Sequence, residues 1–194
     1  SGEQYKKLTA SAAALDPDVF ENTEFGMKWA ISKDLSFTVS MFDSEQTIAT
    51  RTSDGESAEI VGLQVDGVEL ELKGQVNDNL NIAVAYAQMD GETSTGGEPR
   101  EIPKNTLSVF ALYRVNEKFG WALGFTDQGK SYISNNNSSR YLPEYIRVDF
   151  GAYYDVSSDL TLQVNVENVR DELYFPHSHS SHQASVGELS LIHI

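Results

Sequence analysis

The sequence predicts an all-β fold, an antiparallel meander of about eight strands that crosses a membrane as barrel wall. Three observations predict it. Apolar residues alternate with polar ones at period two, short and long connections take turns along the chain, and aromatics gather beside the short connections. Composition agrees: the 194 residues carry 9 Tyr and 9 Phe against 3 Met and 2 Trp, which suits strands better than a helical bundle.

Taken in order, the segment from about Asn22 to Ala30 is the first strand. In LSFTVSM, Leu35, Phe37, Val39 and Met41 oppose Ser36, Thr38 and Ser40. In VGLQVDGVELEL the phase slips, because Val61, Leu63 and Val65 give way to Val68, Leu70 and Leu72. Asp66-Gly67 there resembles a hairpin turn. Two arms that short could not cross a bilayer, so the segment is read as one long strand with a bulge or kink near Gly67. LNIAVAYA sets Leu80, Ile82, Val84 and Tyr86 against Asn81 and alanines. NTLSVFALY is weaker, since Phe110 and Leu112 spoil its polar face. FGWALGFT sets Phe119, Trp121, Leu123 and Phe125 against Gly120, Ala122, Gly124 and Thr126. In YIRVDFGAYYDV, Ile146, Val148, Phe150, Ala152 and Tyr154 oppose Arg147, Asp149, Gly151 and Tyr153. LTLQVNVENV alternates most cleanly, with Leu160, Leu162, Val164 and Val166 on one side.

Short turns fall near Ser32–Asp34, Val76–Asn79, Val115–Lys118 and Val156–Asp159. Longer polar links fall at about Asp43–Glu59, Gln88–Pro103 and Asp127–Glu144. A membrane barrel sorts its connections in this way, with tight periplasmic turns and long outer loops. Arg147, Asp149, Glu69, Glu71 and Lys73 would then line a wet interior, the apolar set would face lipid, and Trp29, Tyr113, Phe119, Trp121 and Tyr154 would form the periplasmic-side girdle. The same alternation also fits a soluble half-buried sheet, such as a binding module of lipocalin type. A self-contained barrel of eight strands, acting as a passive pore or an adhesion or structural protein, is a further alternative.

The net charge of −15 argues against nucleic acid as a partner. Cysteine is absent, so neither a disulfide framework nor a thiolate zinc site is available. The opening SGEQYKKLTA has no hydrophobic signal core, which points to a trimmed chain or the tail of a longer one. No nucleophile elbow or phosphate loop occurs, so the expectation is a protein that is not an enzyme and needs no cofactor.

Four segments, in order, resemble TonB-dependent siderophore receptors. LDPDVFENTEFGMKW is similar to the "PE…NYEIGLK" stretch of that family, and VDGVELELKGQVNDNLNIAVAYAQMDGE to its "GVELELSG" and "GYAYMDA" strands. EIPKNTLSVFALYRV resembles "VPKH…LW..Y". LPEYIRVDFGAYYDVSSDLTLQVNVENVRDELYF resembles "LPGYTVVDA…Y…L.LNVENLFDK.Y". The resemblance implies a barrel of about 22 strands around a plug, of which this chain would be an open C-terminal segment. It implies import of a ferric siderophore, powered by TonB through the plug region that this chain lacks, with outer-membrane lipid and lipopolysaccharide as surroundings. Relatives that take cobalamin share the barrel. Asn168, Asp171 and Tyr174 match the family's "N..D..Y" motif, whose expected work is to fix a strand end and turn. Residues 1–188 are read as the barrel segment. Leu189–Ile194, LSLIHI, matches one reading of a sequencing-library adapter and is expected to be non-native.

Candidate ligand contacts lie in the links. Tyr132, Arg140 and Tyr141 suit an anionic aromatic chelate through charge-assisted hydrogen bonds and stacking. Otherwise the tyrosines would be outer-girdle aromatics and Arg140 would meet lipopolysaccharide or water. Arg51 and Arg100 are weaker candidates of the same kind. His177, His179 and His182 could touch the ferric ligand or bind a metal, or belong to a solvated loop; no carboxylate completes a metal set locally, so no metal site is assigned.

Overall fold

Every segment with period-two alternation becomes a strand, because alternation lets one face of a sheet meet oil and the other water. The computed structural model describes residues 18–51, 57–135, 139–179 and 183–193. Its main strands are β1 (Val19–Ala30), β2 (Leu35–Arg51), β3 (Ser57–Asn77), β4 (Leu80–Thr93), β5 (Asn105–Arg114) and β6 (Phe119–Gln128). The loop ribbon β7 (Ser131–Tyr132) with β8 (Tyr141–Leu142) follows, then β9 (Tyr145–Ser157) and β10 (Leu160–Glu167). A second ribbon pairs β11 (His177–His179) with β12 (Gln183–Ser185), and β13 (Leu191–His193) lies last.

One 9-stranded antiparallel sheet holds the order β1-β2-β3-β4-β5-β6-β9-β10-β13. Its end strands β1 and β13 are not neighbours, so the sheet stays open. β13 pairs only with the end of β10, Leu191 opposite Glu167 and His193 opposite Asn165.

The cross-strand register settles the faces. Trp29, Phe37 and Leu72 are in line, as are Met27, Val39 and Leu70, then Val84 and Val109, and further on Phe125 with Val148 and Ala152 with Val164. The other face carries Lys28, Thr38 and Glu71, then Ala85, Ser108, Thr126 and Arg147. Among the described residues no second layer covers the apolar face: Leu162 is 54% exposed, Val164 38% and Met41 58%. Among the described residues only Leu142 and Tyr174 are buried hydrophobics, and neither belongs to the long strands of the sheet. A soluble sandwich or lipocalin would pack these aliphatics inside.

The sheet curls toward its polar face. Two hollows lie there, one lined by Glu24, Thr38, Glu69 and Glu71, the other by Ala122, Arg147, Asp149 and Glu167. Side chains converge on a concave surface, which accounts for Ala83, Ala85, Ala87, Gly120, Ala122, Gly124 and Gly151 on it. Gly120 lies beneath the Tyr153 ring, in space a Cβ would occupy.

Four short turns share one rim and one device. Ser32 Oγ accepts the amides of Asp34 (3.2 Å) and Leu35 (3.1 Å). Asn77 Oδ1 accepts those of Asn79 (2.9 Å) and Leu80 (3.0 Å), and Asn116 Oδ1 those of Lys118 and Phe119, both at 2.9 Å. Ser157 Oγ accepts the Asp159 amide at 3.3 Å. These are Asx and Ser turns, which reverse the chain without glycine. The expected girdle aromatics sit beside them, Tyr113 against Trp121 (5.5 Å between centroids) and Phe119 opposite Tyr154.

Three expectations change. The first strand begins at Val19 rather than Asn22, and β10 ends at Glu167. No bulge lies at Gly67, where β3 and β4 stay in continuous register; irregularities fall between Gln46 and Thr47 of β2, opposite Gly62, and between Gln75 and Asn77 of β3. Gly67 is there for space, since a Cβ would sit 2.8 Å from the Phe42 ring and 2.6 Å from the Gln88 carbonyl oxygen. Much of the link Asp43–Glu59 is strand, because β2 runs 17 residues and β3 runs 21. About 9–11 residues cross a bilayer. The excess stands above the membrane.

Candidate functional site

The rim opposite the short turns carries the long links, and three of them meet. The link after β4 leaves through a turn held by Thr93, whose Oγ1 accepts the Gly97 amide at 3.1 Å and whose carbonyl accepts the Gly96 amide at 2.9 Å. It returns past Arg100 and Glu101 to β5. Arg100 forms a parallel bridge with Tyr132, and its amide donates to Asn135 Oδ1 at 2.7 Å. The Glu101 amide donates to the Tyr132 carbonyl at 2.7 Å. Glu101 Oε1 accepts from the Ser178 amide (3.2 Å) and the Ser178 hydroxyl (3.1 Å) in the third link.

Tyr132 and Tyr141 are direct cross-strand partners in the β7–β8 ribbon. Lys130 Nζ lies 4.9 Å from the Tyr132 ring centroid and 5.3 Å from that of Tyr141, so one ammonium serves two rings by cation–π attraction. Arg140 is exposed on the same ribbon, its carbonyl accepting the Ile133 amide at 3.3 Å. His177 is exposed on β11, one residue before Ser178. His179 takes the alternate position of β11, opposite Gln183, and His182 lies outside the described residues. No group of three His, Asp or Glu among the described residues has metal-binding geometry.

The third link is rooted in the wall by a buried amide. Asn168 is 1% exposed, with φ of 49°, and its Nδ2 donates to the carbonyls of Glu172 (2.9 Å) and Glu188 (3.0 Å). Its Oδ1 accepts the Glu172 amide at 3.0 Å, and its own amide donates to Asp149 Oδ1 at 2.8 Å. Asp171 Oδ1 accepts the Ser190 amide at 3.0 Å. The buried Tyr174 packs on Tyr145 and accepts from Arg147 Nη1 at 3.1 Å, while Arg147 also pairs with Asp149 (2.8 Å) and Glu167 (3.0 Å). Asn168 and Tyr174 do the structural work expected of them through these bonds, while the Asp171 side chain reaches Ser190, within the segment Leu189–Ile194.

The sequence pointed to both tyrosines as candidates and did not single out Glu101, Lys130 or Ser178, which the structure places beside them. Lys130 had a readable signal, its period-two spacing from Tyr132. Glu101 had none, because its bond to Ser178 spans 77 positions.

An open, curled sheet with an uncovered apolar outside, a wet inside and sorted connections defines a segment of a transmembrane β-barrel. No helix among the described residues is long and apolar enough to cross a membrane. Residues 2–169 match the family described as TonB dependent receptor-like, beta-barrel. The probable TonB-dependent siderophore receptor PiuA of Acinetobacter baumannii is 26% identical over 96% of this chain and 28% of its own length. The ferrioxamine B receptor of Salmonella typhimurium is 29% identical over 82% of the chain and 25% of its own length. The crystal structure of PiuA superposes with a TM-score of 0.87 over 95% of this chain and 29% of that one. This chain belongs to the TonB-dependent receptor β-barrel family and is a wall segment of an outer-membrane barrel. It spans less than a third of the length of these relatives.

Proposed function

We propose that the chain supplies wall and outer loops to a receptor that binds ferric siderophores and imports them across the outer membrane, energised by TonB through a plug lying outside this chain. The observation that carries it is the convergence of three long links above a family-matched wall, where Lys130, Tyr132 and Tyr141 offer cation and aromatic faces. An anionic chelate with aromatic metal-binding groups is the ligand such a surface recognises. The same sheet meets lipid with its apolar face, and its outer rim meets lipopolysaccharide. The reading is of binding and transport, with no catalysis by these residues.

The relatives favour one variant reading, uptake of another metal chelate, since the metal-pseudopaline receptor CntO of Pseudomonas aeruginosa is 28% identical over 90% of the chain. The test is uptake of radiolabelled metal in the native host with the complete parent gene deleted, supplied as iron on catecholate, hydroxamate and carboxylate chelates and as non-ferric metal–pseudopaline complexes, each carrying its own metal's label. Loss of one ferric siderophore, restored by the gene, is expected. Unchanged uptake of every ferric complex sinks the reading, and loss confined to a non-ferric complex selects the variant.

A further inference from the structure

We infer that Glu101 is a positioning residue that locks three outer loops into one body, and so fixes the Lys130–Tyr132–Tyr141 surface relative to His177 at the barrel mouth. Where it speaks of a ligand, this rests on the receptor reading above; the lock itself rests on geometry.

Glu101 joins the loops from both ends of one residue. Its amide holds the β7–β8 ribbon at the Tyr132 carbonyl, and its carboxylate holds the β11–β12 ribbon at two donors of Ser178. Ser178 is 9% exposed, so the donor end of these bonds is shielded from water although Glu101 itself is exposed. A carboxylate accepting two donors makes charge-assisted bonds stronger than neutral ones. Glutamate's two methylenes give the reach from one loop to the other.

The backbone carries a second, independent mark. Glu101 has φ of 60°, a left-handed conformation that a side chain disfavours and glycine takes freely. Asn168 and Asp171, the other non-glycine residues with positive φ among those described, use short side chains that bond within their own link. Glu101 instead spends its side chain on a different loop. A strained conformation held by bonds to two neighbouring segments is over-determined by its surroundings, as functional positions are. Glycine would relieve the backbone and lose the lock.

Without it, each loop samples its own conformations, and a ligand must order them separately. With it, the aromatic ribbon and the histidine ribbon move together. The test uses the full-length receptor purified in detergent, comparing Glu101→Ala, Glu101→Gly and Glu101→Gln by amide hydrogen exchange and by binding of the ferric-siderophore panel. Glu101→Ala and Glu101→Gly keep the amide bond to the Tyr132 carbonyl and lose the carboxylate bonds to Ser178, so exchange is expected to rise about tenfold in the β11–β12 ribbon and by a smaller factor in the β7–β8 ribbon, with the sheet unchanged. Glu101→Gln keeps the accepting oxygen and recovers most of that protection. Binding weakens in the same order. If Glu101→Ala loosens only its own link, or if Glu101→Gln is as loose as Glu101→Ala, the lock is overturned. Should Glu101→Ala fail to fold, Ser178→Ala removes one of the two donors and is expected to give a rise of about threefold, confined to the same ribbons; no rise there overturns the lock. Exchange behaving as expected in a receptor that binds no ferric siderophore keeps the lock and removes the receptor reading.

Discussion

Between the turn rim and Gly67 the sheet sorts its side chains; beyond Gly67 the same strands do not. In the lower part, Leu70 lies in line with Val39 and Tyr86 outside, while Glu69 lies with Ser40 and Ala87 inside. In the upper part, the outward row becomes Thr23, Asp43, Asp66 and Asp90, followed by Glu21, Glu45, Gln64 and Glu92. Inward there, Phe42, Leu63, Val65 and Met89 appear among polar neighbours. Strand conformation is the same throughout. What changes is the contrast between the two media: oil against water below, water on both sides above. Alternation therefore records the bilayer, and its failure marks where the bilayer ends.

Putting a charge into the outward lower band attacks this contrast most directly. Val84→Arg in β4, flanked by Leu72 and Val109, is expected to destabilise the full-length barrel by about 2–4 kcal/mol, read by urea titration in phospholipid vesicles. An equal loss from Asp90→Arg, higher on the same face of β4, would erase the distinction. At the boundary itself, Gly67→Ala forces a methyl against Phe42 and the Gln88 carbonyl and is expected to cost about 1–3 kcal/mol by the same titration. Above the boundary the sign reverses. Asp66 stands directly between Asp43 and Asp90, and like charges in that relation repel, so Asp66→Asn is expected to stabilise by about 0.2–1 kcal/mol at low salt. The smallest effect belongs to Lys104, which sits 2.8 Å from Glu98 and 3.4 Å from Asp90. Glu98 first, and then Asp90, hold its ammonium above the ordinary lysine range, so the pair's contribution is present below about pH 10 and fades above it. Lys104→Ala should cost under about 1 kcal/mol at low ionic strength and nothing measurable at high salt, a comparison that a titration at two salt concentrations makes.

The same contrast explains what could be read from residues alone. Leu35 to Met41, Leu80 to Tyr86 and Leu160 to Val166 were legible because lipid forces their pattern. The upper halves of β2 and β3 were not: Asp43 to Arg51 is composed like a loop, and nothing above the membrane demands alternation. The slip past Gly67 looked like a bulge because apolar Leu63 and Val65 change sides there, while the backbone keeps its register. In the candidate site, Tyr132 and Tyr141 were visible as residue types suited to a chelate. The lock was not, since a positive φ and a bond between distant loops leave no periodic trace.

The four tight reversals share a further property. Each is closed by a side-chain oxygen of the reversal itself, so each pair of strands carries its own instruction for alignment. A wall assembled from such self-addressed pairs can be extended by copying one without rewriting the alignment inside its neighbours, the barrel widening to take it in. Growth by duplication is thus open to this architecture in steps of two strands.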